Sequence, residues 1–370
     1  MPRLPTELVA KVIEEAQYDD LLPRYRWLRR YALVSREWCP YAQSLIFRRI
    51  VLVGGVEQCE KVIAALSGQL SSDAEHTAFL RGCVKTLILS MDHRQIYVDV
   101  LMLCTNLVEL GVKLHHACFR PEALCRLKDA PKIKALHVRS AFYKPMYQLL
   151  SVFPDIESLD LDARSMRNIC EPFTPQWKLR ELRLYCIPQS TLDLLSWIFS
   201  GPSSRESLEI LHINNDAPSE LFSDMQFPNL RSLHARSVNE EDVRRLPPLE
   251  ELGLHVVPPS QQSFARLPLS IQHLLLPSTV DNVENLVEGL TVVQHTSGCS
   301  LRALTYTRSP QVERRVEEKD VRVLQLYCHQ NELQFRFMDP PYGAMPGEVG
   351  TVISTYEISQ KLSADTYLIC

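Results

Sequence analysis

The 370-residue chain is 45% apolar and 23% charged, the composition of a globular protein with ample material for a core. Its 44 acidic and 40 basic residues leave a net charge of −4, which excludes a strong field drawing it to nucleic acid or to anionic lipid. No apolar run reaches the ~20 residues of a membrane span, and eleven cysteines without a Cys-x-x-Cys fit a reducing cytoplasmic or nuclear compartment.

The first fifty residues read as three short helices. Pro5 suits the first turn of a helix, where its missing N–H has no partner to lose, and Glu7 then faces the positive end of the helix dipole. Leu8, Val12 and Ala16, with Ile13 beside them, recur at helical spacing; acids follow, so the stretch is not a signal peptide. Asp19, Asp20 and Pro23 end this helix. Leu28, Tyr31, Ala32 and Ser35 repeat the spacing and predict a second helix running to Trp38, and Pro40 opens a third. Three short helices are too small to bury all this apolar surface internally, so part of it is expected to face a partner. A helical cap over the open end of a repeat array is the alternative. The cluster of Arg24, Arg26, Arg29 and Arg30 among aromatic residues reads as a solvated face, not as a nucleic-acid stacking platform.

Leu4-Pro5-Thr6-Glu7-Leu8, the core Leu33-Val34-Ser35-Arg36-Glu37-Trp38 and the exit Leu45-Ile46-Phe47-Arg48-Arg49-Ile50 resemble the F-box. The exit is especially similar to the F-box/leucine-rich-repeat-like proteins of basidiomycete fungi. About twenty residues, including Asp19–Arg26, separate the first helix from the second motif, more than the usual F-box spacing. The resemblance implies a helical domain over residues 1–48 that docks on the Skp-type adaptor of a cullin-based ubiquitin ligase. Leu4, Pro5, Leu8, Ile13, Val34 and Trp38 would supply the apolar contacts.

From residue 49 the chain repeats. Arg49–Val53 reads as a strand, and the template Leu-x-x-Leu-x-Leu then starts, with conservative replacements, at Val84, Leu107, Ile133, Ile156, Leu179, Leu208, Leu230, Leu249, Ile271 and Leu301. The starts lie 19 to 30 residues apart, the leucine-rich-repeat period. Alternate leucines of a short strand point into one core. Between the strands, helical patterns are expected at residues 121–127, 144–153, 190–199, 218–225, 239–246 and 281–290, with Pro131, Pro154, Pro228, Pro248 and Pro268 leading into strands. No single repeat buries its apolar face, so neighbours must stack. The expected fold is α/β: the helical N-terminus, a curved solenoid of parallel strands over 49–335 with helices outside, and a C-terminal cap over 336–370. The Asn or Cys that regular repeats carry three residues after the last leucine is absent; Asp92, His115, Ala141, Arg164 and Ile187 stand there instead.

The residue between the last two leucines of each strand points to the open face. That column supplies His137, Asp160, Arg183, His212 and His234, and the next position adds Asp162, Tyr185 and Arg236, an expected surface for a protein substrate; plain solvation of these side chains is the alternative. Phosphate-cradling glycine loops and a Gly-x-Ser-x-Gly elbow are absent. His115-His116-x-Cys118 with Cys125 matches no standard zinc spacing and reads as a surface turn. No catalytic residue, cofactor or metal is expected. The sequence reads as the substrate-recognition subunit of a Skp–cullin–F-box ligase, or alternatively as a repeat scaffold unconnected with ubiquitin.

Overall fold

The computed structural model describes residues 5–338 except 17, 20–21, 24, 53–55, 70–72, 91–95, 116, 141, 164–172, 187–189, 224–226, 255, 257–265, 277–282, 297 and 308–313. Leu4 and the C-terminal segment beyond 338, expected as a cap, lie outside the described residues, as do Asp92, Ala141, Arg164 and Ile187. The described residues fall into two compact units, the first ending at Ile156 and the second beginning at Glu157.

The first unit opens with α1 (Thr6–Ala16), a ribbon of β1 (Tyr18–Asp19) and β2 (Leu22–Pro23), α2 (Tyr25–Tyr31) and α3 (Cys39–Arg48). Pro5 precedes α1 and Pro40 sits in the first turn of α3, as their missing N–H groups favour. The second helix is shorter than its periodicity suggests. It stops at Tyr31, and turns fill residues 32–38 before α3. Val9, Ile13 and Leu28 form the buried centre of this bundle, with Tyr25, Tyr31, Trp38, Tyr41, Leu45 and Ile46 packed around it.

Strand–helix units follow directly: β3 (Arg49–Leu52), α4 (Val56–Ser67), α5 (Ala74–Cys83), β4 (Thr86–Ser90), α6 (Tyr97–Leu103), β5 (Glu109–Leu114), α7 (Pro121–Leu127), β6 (Ala135–Ser140) and α8 (Tyr143–Leu150). The strands pair in parallel and in chain order, with Leu87, Leu110 and Leu136 in one register row. All three are fully buried. Asp73 caps α5, its Oδ1 accepting from the His76 N–H at 3.0 Å.

The second unit continues the scheme with β7 (Ser158–Asp162), β8 (Glu181–Tyr185), α9 (Thr191–Ile198), α10 (Pro202–Ser207), β9 (Ile210–Ile213), α11 (Glu220–Ser223), β10 (Ser232–Ala235), α12 (Glu240–Val243), β11 (Glu251–Leu254), β12 (His273–Leu276), α13 (Val283–Gln294), β13 (Ala303–Thr307), α14 (Arg314–Gln330) and β14 (Gln334–Met338). These strands are also parallel and in chain order. The buried row Leu159, Leu182, Leu211, Leu233, Leu252, Leu274, Leu304 runs across seven of them. Burying each such side chain contributes about 1.5–3 kcal/mol, which is why the leucine spacing dictates the register.

Every strand expected from the repeat template is present, and one more follows. β14 carries Phe335 and Phe337 where the template has leucine, so the strand pattern extends past residue 335 to Met338. Helix α11 begins at Glu220, two residues later than expected, with residues 224–225 outside the described residues, and α12 is a single turn, shorter than the expected 239–246. Phe173 and Trp177, from the segment before β8, meet Trp197 of α9 and each other edge to face at 5.5–6.1 Å, and Trp197 Nε1 donates to the Phe173 carbonyl at 3.0 Å. Among the described residues, no helix is long and apolar enough to cross a membrane.

Candidate functional site

In the helical bundle, the residues expected to meet an adaptor separate by depth. Ile13 is fully buried and belongs to the bundle's own core, because it falls on the face of α1 that also carries Val9. It presents no surface. Leu8 and Val12, one position off that face, are half exposed, and Trp27 on α2 is similarly open. Leu33 and Val34 lie in the turn after α2 and are 87% and 60% exposed. Pro5 is exposed, and its carbonyl accepts the Leu8 and Val9 N–H groups at 3.0 and 3.1 Å. Trp38 is half-buried beside Tyr31, ring centres 6.1 Å apart, and its backbone N–H donates to Ser35 Oγ. Arg30 stacks its guanidinium on Trp27 at 4.9 Å.

The strand-face residues are organised by a motif that the leucine search passes over. At the first position of a strand stands a Ser or Thr, and at the same position of the next strand a Glu. In the first unit, Thr86 Oγ1 donates to Glu109 Oε2 at 3.1 Å, and His137 Nε2 lies 3.2 Å from Glu109 Oε1. Glu109 is buried, and the hydrogen bond from the Thr86 hydroxyl offsets part of the cost of burying it.

The second unit repeats this twice. Ser158 Oγ donates to Glu181 Oε2 at 3.1 Å, and Arg183 Nε donates to Glu181 Oε1 at 2.9 Å. Ser232 Oγ donates to Glu251 Oε1 at 2.8 Å. The same oxygen meets His234 Nε2 at 2.6 Å, while Glu251 Oε2 meets His273 Nδ1 at 2.8 Å. His273 Nε2 in turn reaches Thr305 Oγ1 at 2.7 Å. Burial opposes the charge on Glu251, but the hydrogen bonds from His234 and His273 outweigh it and hold the carboxyl well below the usual range. His212 stacks on His234, ring centres 4.0 Å apart and 10° from parallel.

Of the expected substrate surface, then, His137, Arg183 and His234 each face a buried or half-buried glutamate. Asp160 is buried in register with Arg183, and Asp162 is in register with Tyr185. Arg236 is exposed just past β10. The glutamates were legible as Leu-x-Glu-Leu at 107–110, 179–182 and 249–252, each one repeat after a Ser or Thr in the same place.

Turn chemistry also departs from the template reading. Asn215, two residues past Ile213, is buried and donates from Nδ2 to the Cys186 carbonyl at 2.9 Å and to Thr191 Oγ1 at 2.8 Å. It satisfies the preceding repeat's turn from one position earlier than the regular column. Burial pushes the Cys104 thiol up to about 12 and the Cys186 thiol up as well, so neither is a ready nucleophile. Cys118 and Cys125 are exposed, and His115 Nε2 lies 3.4 Å from Ser90 Oγ; His116 is outside the described residues. Among the described residues no group of three or more His, Cys, Asp or Glu is arranged to hold a metal. No family model matches the chain, and no curated protein matches it.

Proposed function

We propose that the chain is a substrate receptor of a Skp–cullin–F-box type ubiquitin ligase, with residues 5–48 docking the Skp-type adaptor and the leucine-rich repeats binding a protein to be modified. One observation carries this reading. The helical bundle closes its core with Val9, Ile13 and Leu28, yet leaves Leu8, Val12, Trp27, Leu33 and Val34 in solvent. Apolar side chains of that size on a small bundle mark an association surface, and three of them, Leu8, Leu33 and Val34, fall in the motifs that resemble the F-box. In such a receptor the chain contributes proximity between substrate and ligase, not bond-making.

A specific observation favours a second reading, a repeat scaffold whose helices only cap the array. Helix α3 packs against α5 and β3, and Tyr25 Oη donates to the Arg49 carbonyl at 3.4 Å. Capture of a purified Skp-type adaptor by the full chain, beside Leu8→Asp and Val34→Asp variants, separates the two. Both substitutions fall on exposed side chains, so folding is retained while a carboxylate is forced into any apolar interface. The ligase reading expects capture by the unaltered chain and its loss in both variants. A folded unaltered chain that captures no adaptor leaves the scaffold reading.

A further inference from the structure

In the first unit, two cations stand side by side on the open face of the strands. Lys113 on β5 and Arg139 on β6 are register partners, about 4.8 Å apart across the strand pair, each one place beyond a buried core residue, Val112 or Val138. Both are half-buried, and among the described residues neither side chain makes an ion pair or a hydrogen bond. Arg139 Nη1 is shielded from solvent and has no acceptor. Like charges directly opposite on paired strands are destabilising, and so is a buried donor left without a partner. A single carboxylate set against both side chains relieves both costs, because a guanidinium offers it a two-pronged fork and an ammonium a point charge.

Glu109 does not fill this role. It stands four residues before Lys113 on β5, roughly 13 Å along the strand, and its carboxylate faces Thr86 and His137. The charged side chains on the open face of β3–β6 are Arg49, Glu109, Lys113 and Arg139, three cations against one carboxylate, or +2 with every imidazole neutral. The whole chain, by contrast, carries −4. Apolar surface adjoins the cations in sequence. Just after β6 the chain turns through Phe142 and Tyr143, which are 45% and 49% exposed. Ser140 Oγ donates to the Phe142 carbonyl at 2.7 Å and accepts the Phe142 N–H at 3.1 Å, which fixes the turn that presents them. Exposed aromatic side chains beside cations suit a protein segment; a small free anion would use the cations alone.

We propose that Lys113 and Arg139 receive a carboxylate side chain of a partner protein, with an apolar residue of the same segment resting on Phe142 and Tyr143. The partner's being a ligase substrate rests on the function proposed above; the acidic and apolar character of the segment does not. Fluorescence anisotropy of the full chain tests it with a labelled octapeptide of alternating glutamate and leucine, beside its glutamine–leucine counterpart and octaglutamate, at about pH 7.5, where glutamate is ionised. The glutamate–leucine peptide is expected to bind, more weakly as salt is added, and each comparison peptide at least about tenfold less tightly. Lys113→Gln and Arg139→Gln each remove a cation that holds no ion pair or hydrogen bond within the described residues. Each is expected to weaken binding about tenfold, as loss of a hydrogen bond to a charged group does, with thermal stability unchanged or raised. Lys61→Gln makes the same change of charge on the exposed side of α4 and is expected to bind like the unaltered chain. No binding of the glutamate–leucine peptide, equal binding of either comparison peptide, or Lys113→Gln and Arg139→Gln variants that bind as well as Lys61→Gln overturns the proposal. Adaptor capture is scored separately with the Leu8→Asp variant. Its failure alongside intact peptide binding removes the ligase reading and leaves this one standing.

Discussion

The imidazole of His234 occupies the space that a side chain at Gly253 would need. A Cβ there would stand 2.6 Å from His234 Nδ1 and 2.8 Å from its Cγ, while His212 stacks on the ring 4.0 Å away. The backbone of Gly253 is outside the left-handed region, so alanine is excluded by the neighbouring ring alone. In a strand, Gly→Ala is ordinarily favourable by about 0.5–1 kcal/mol. Here the sign reverses. Gly253→Ala is expected to displace His234 from Glu251 and to destabilise the second unit by about 1–3 kcal/mol, read as faster amide exchange in β10–β12. In a His234→Ala background the same change is expected to be neutral or stabilising. A full cost that persists without the ring would show that the clash is not the cause.

Glu251→Gln probes the charge at the centre of that network. The folded-state pKa of Glu251 is depressed, burial notwithstanding, by its bonds to His234 and His273. Its contribution is therefore fully present above the unfolded carboxyl range of about 4.3 and is lost as pH falls below it, because the unfolded chain takes up the proton first. The unaltered chain is expected to be more stable than Glu251→Gln by about 1–3 kcal/mol at pH 7. The difference should hold down to about pH 5 and then shrink towards pH 3. Urea midpoints at pH 7, 5 and 3.5 measure it; parallel curves would mean that the ionised carboxylate is not what the histidines hold.

The leucine spacing revealed the repeat because the core imposes it: a strand shifted by one residue would turn Leu182 and Leu184 outward and Arg183 inward. Phe335 and Phe337 stand in register with Leu304 and Tyr306, at template positions without a leucine, and so β14 lay beyond a search for leucine. The Ser/Thr–Glu pairs were harder to see, since Ser158 and Glu181 are 23 residues apart and only register makes them neighbours. The depth of Ile13 against Leu8 was illegible for another reason. Both fit an apolar stripe on α1, and which of them faces inward depends on where α2 and α3 pack.

Two arginine–glutamate pairs on β8 and its entry differ in worth by their exposure. Arg180 meets Glu209 through two N–H groups at 2.8 and 3.2 Å, with half of its side chain in water. Removing an exposed pair of this kind costs below about 1 kcal/mol, so Arg180→Ala should be close to silent. Glu181 is 5% exposed and Arg183 19%. Losing one member of a buried pair costs about 3–5 kcal/mol, and with Arg183 partly hydrated Glu181→Ala is expected at roughly 2–3 kcal/mol. The deletion also strands the Ser158 hydroxyl. Equal effects of the two substitutions on thermal unfolding would contradict this ordering.

The bundle offers a matched pair of substitutions on one helix, α1. Ile13 is completely buried between Val9 and Leu28, so Ile13→Ala opens a cavity where α1 meets the rest of the bundle and should cost about 2–5 kcal/mol. Leu8 is 49% exposed, and Leu8→Ala should change stability by no more than about 0.5 kcal/mol. Amide exchange in α1 and α2 is the readout, because it reports on this bundle directly. Ile13→Ala is expected to raise exchange there, and Leu8→Ala to leave it unchanged. Adaptor capture should follow the opposite logic, with Leu8→Ala weakening it directly. A Leu8→Ala variant that loosens α1 as much as Ile13→Ala would mean that Leu8 supports the bundle, and the exposed row could not then be read as a surface kept for a partner.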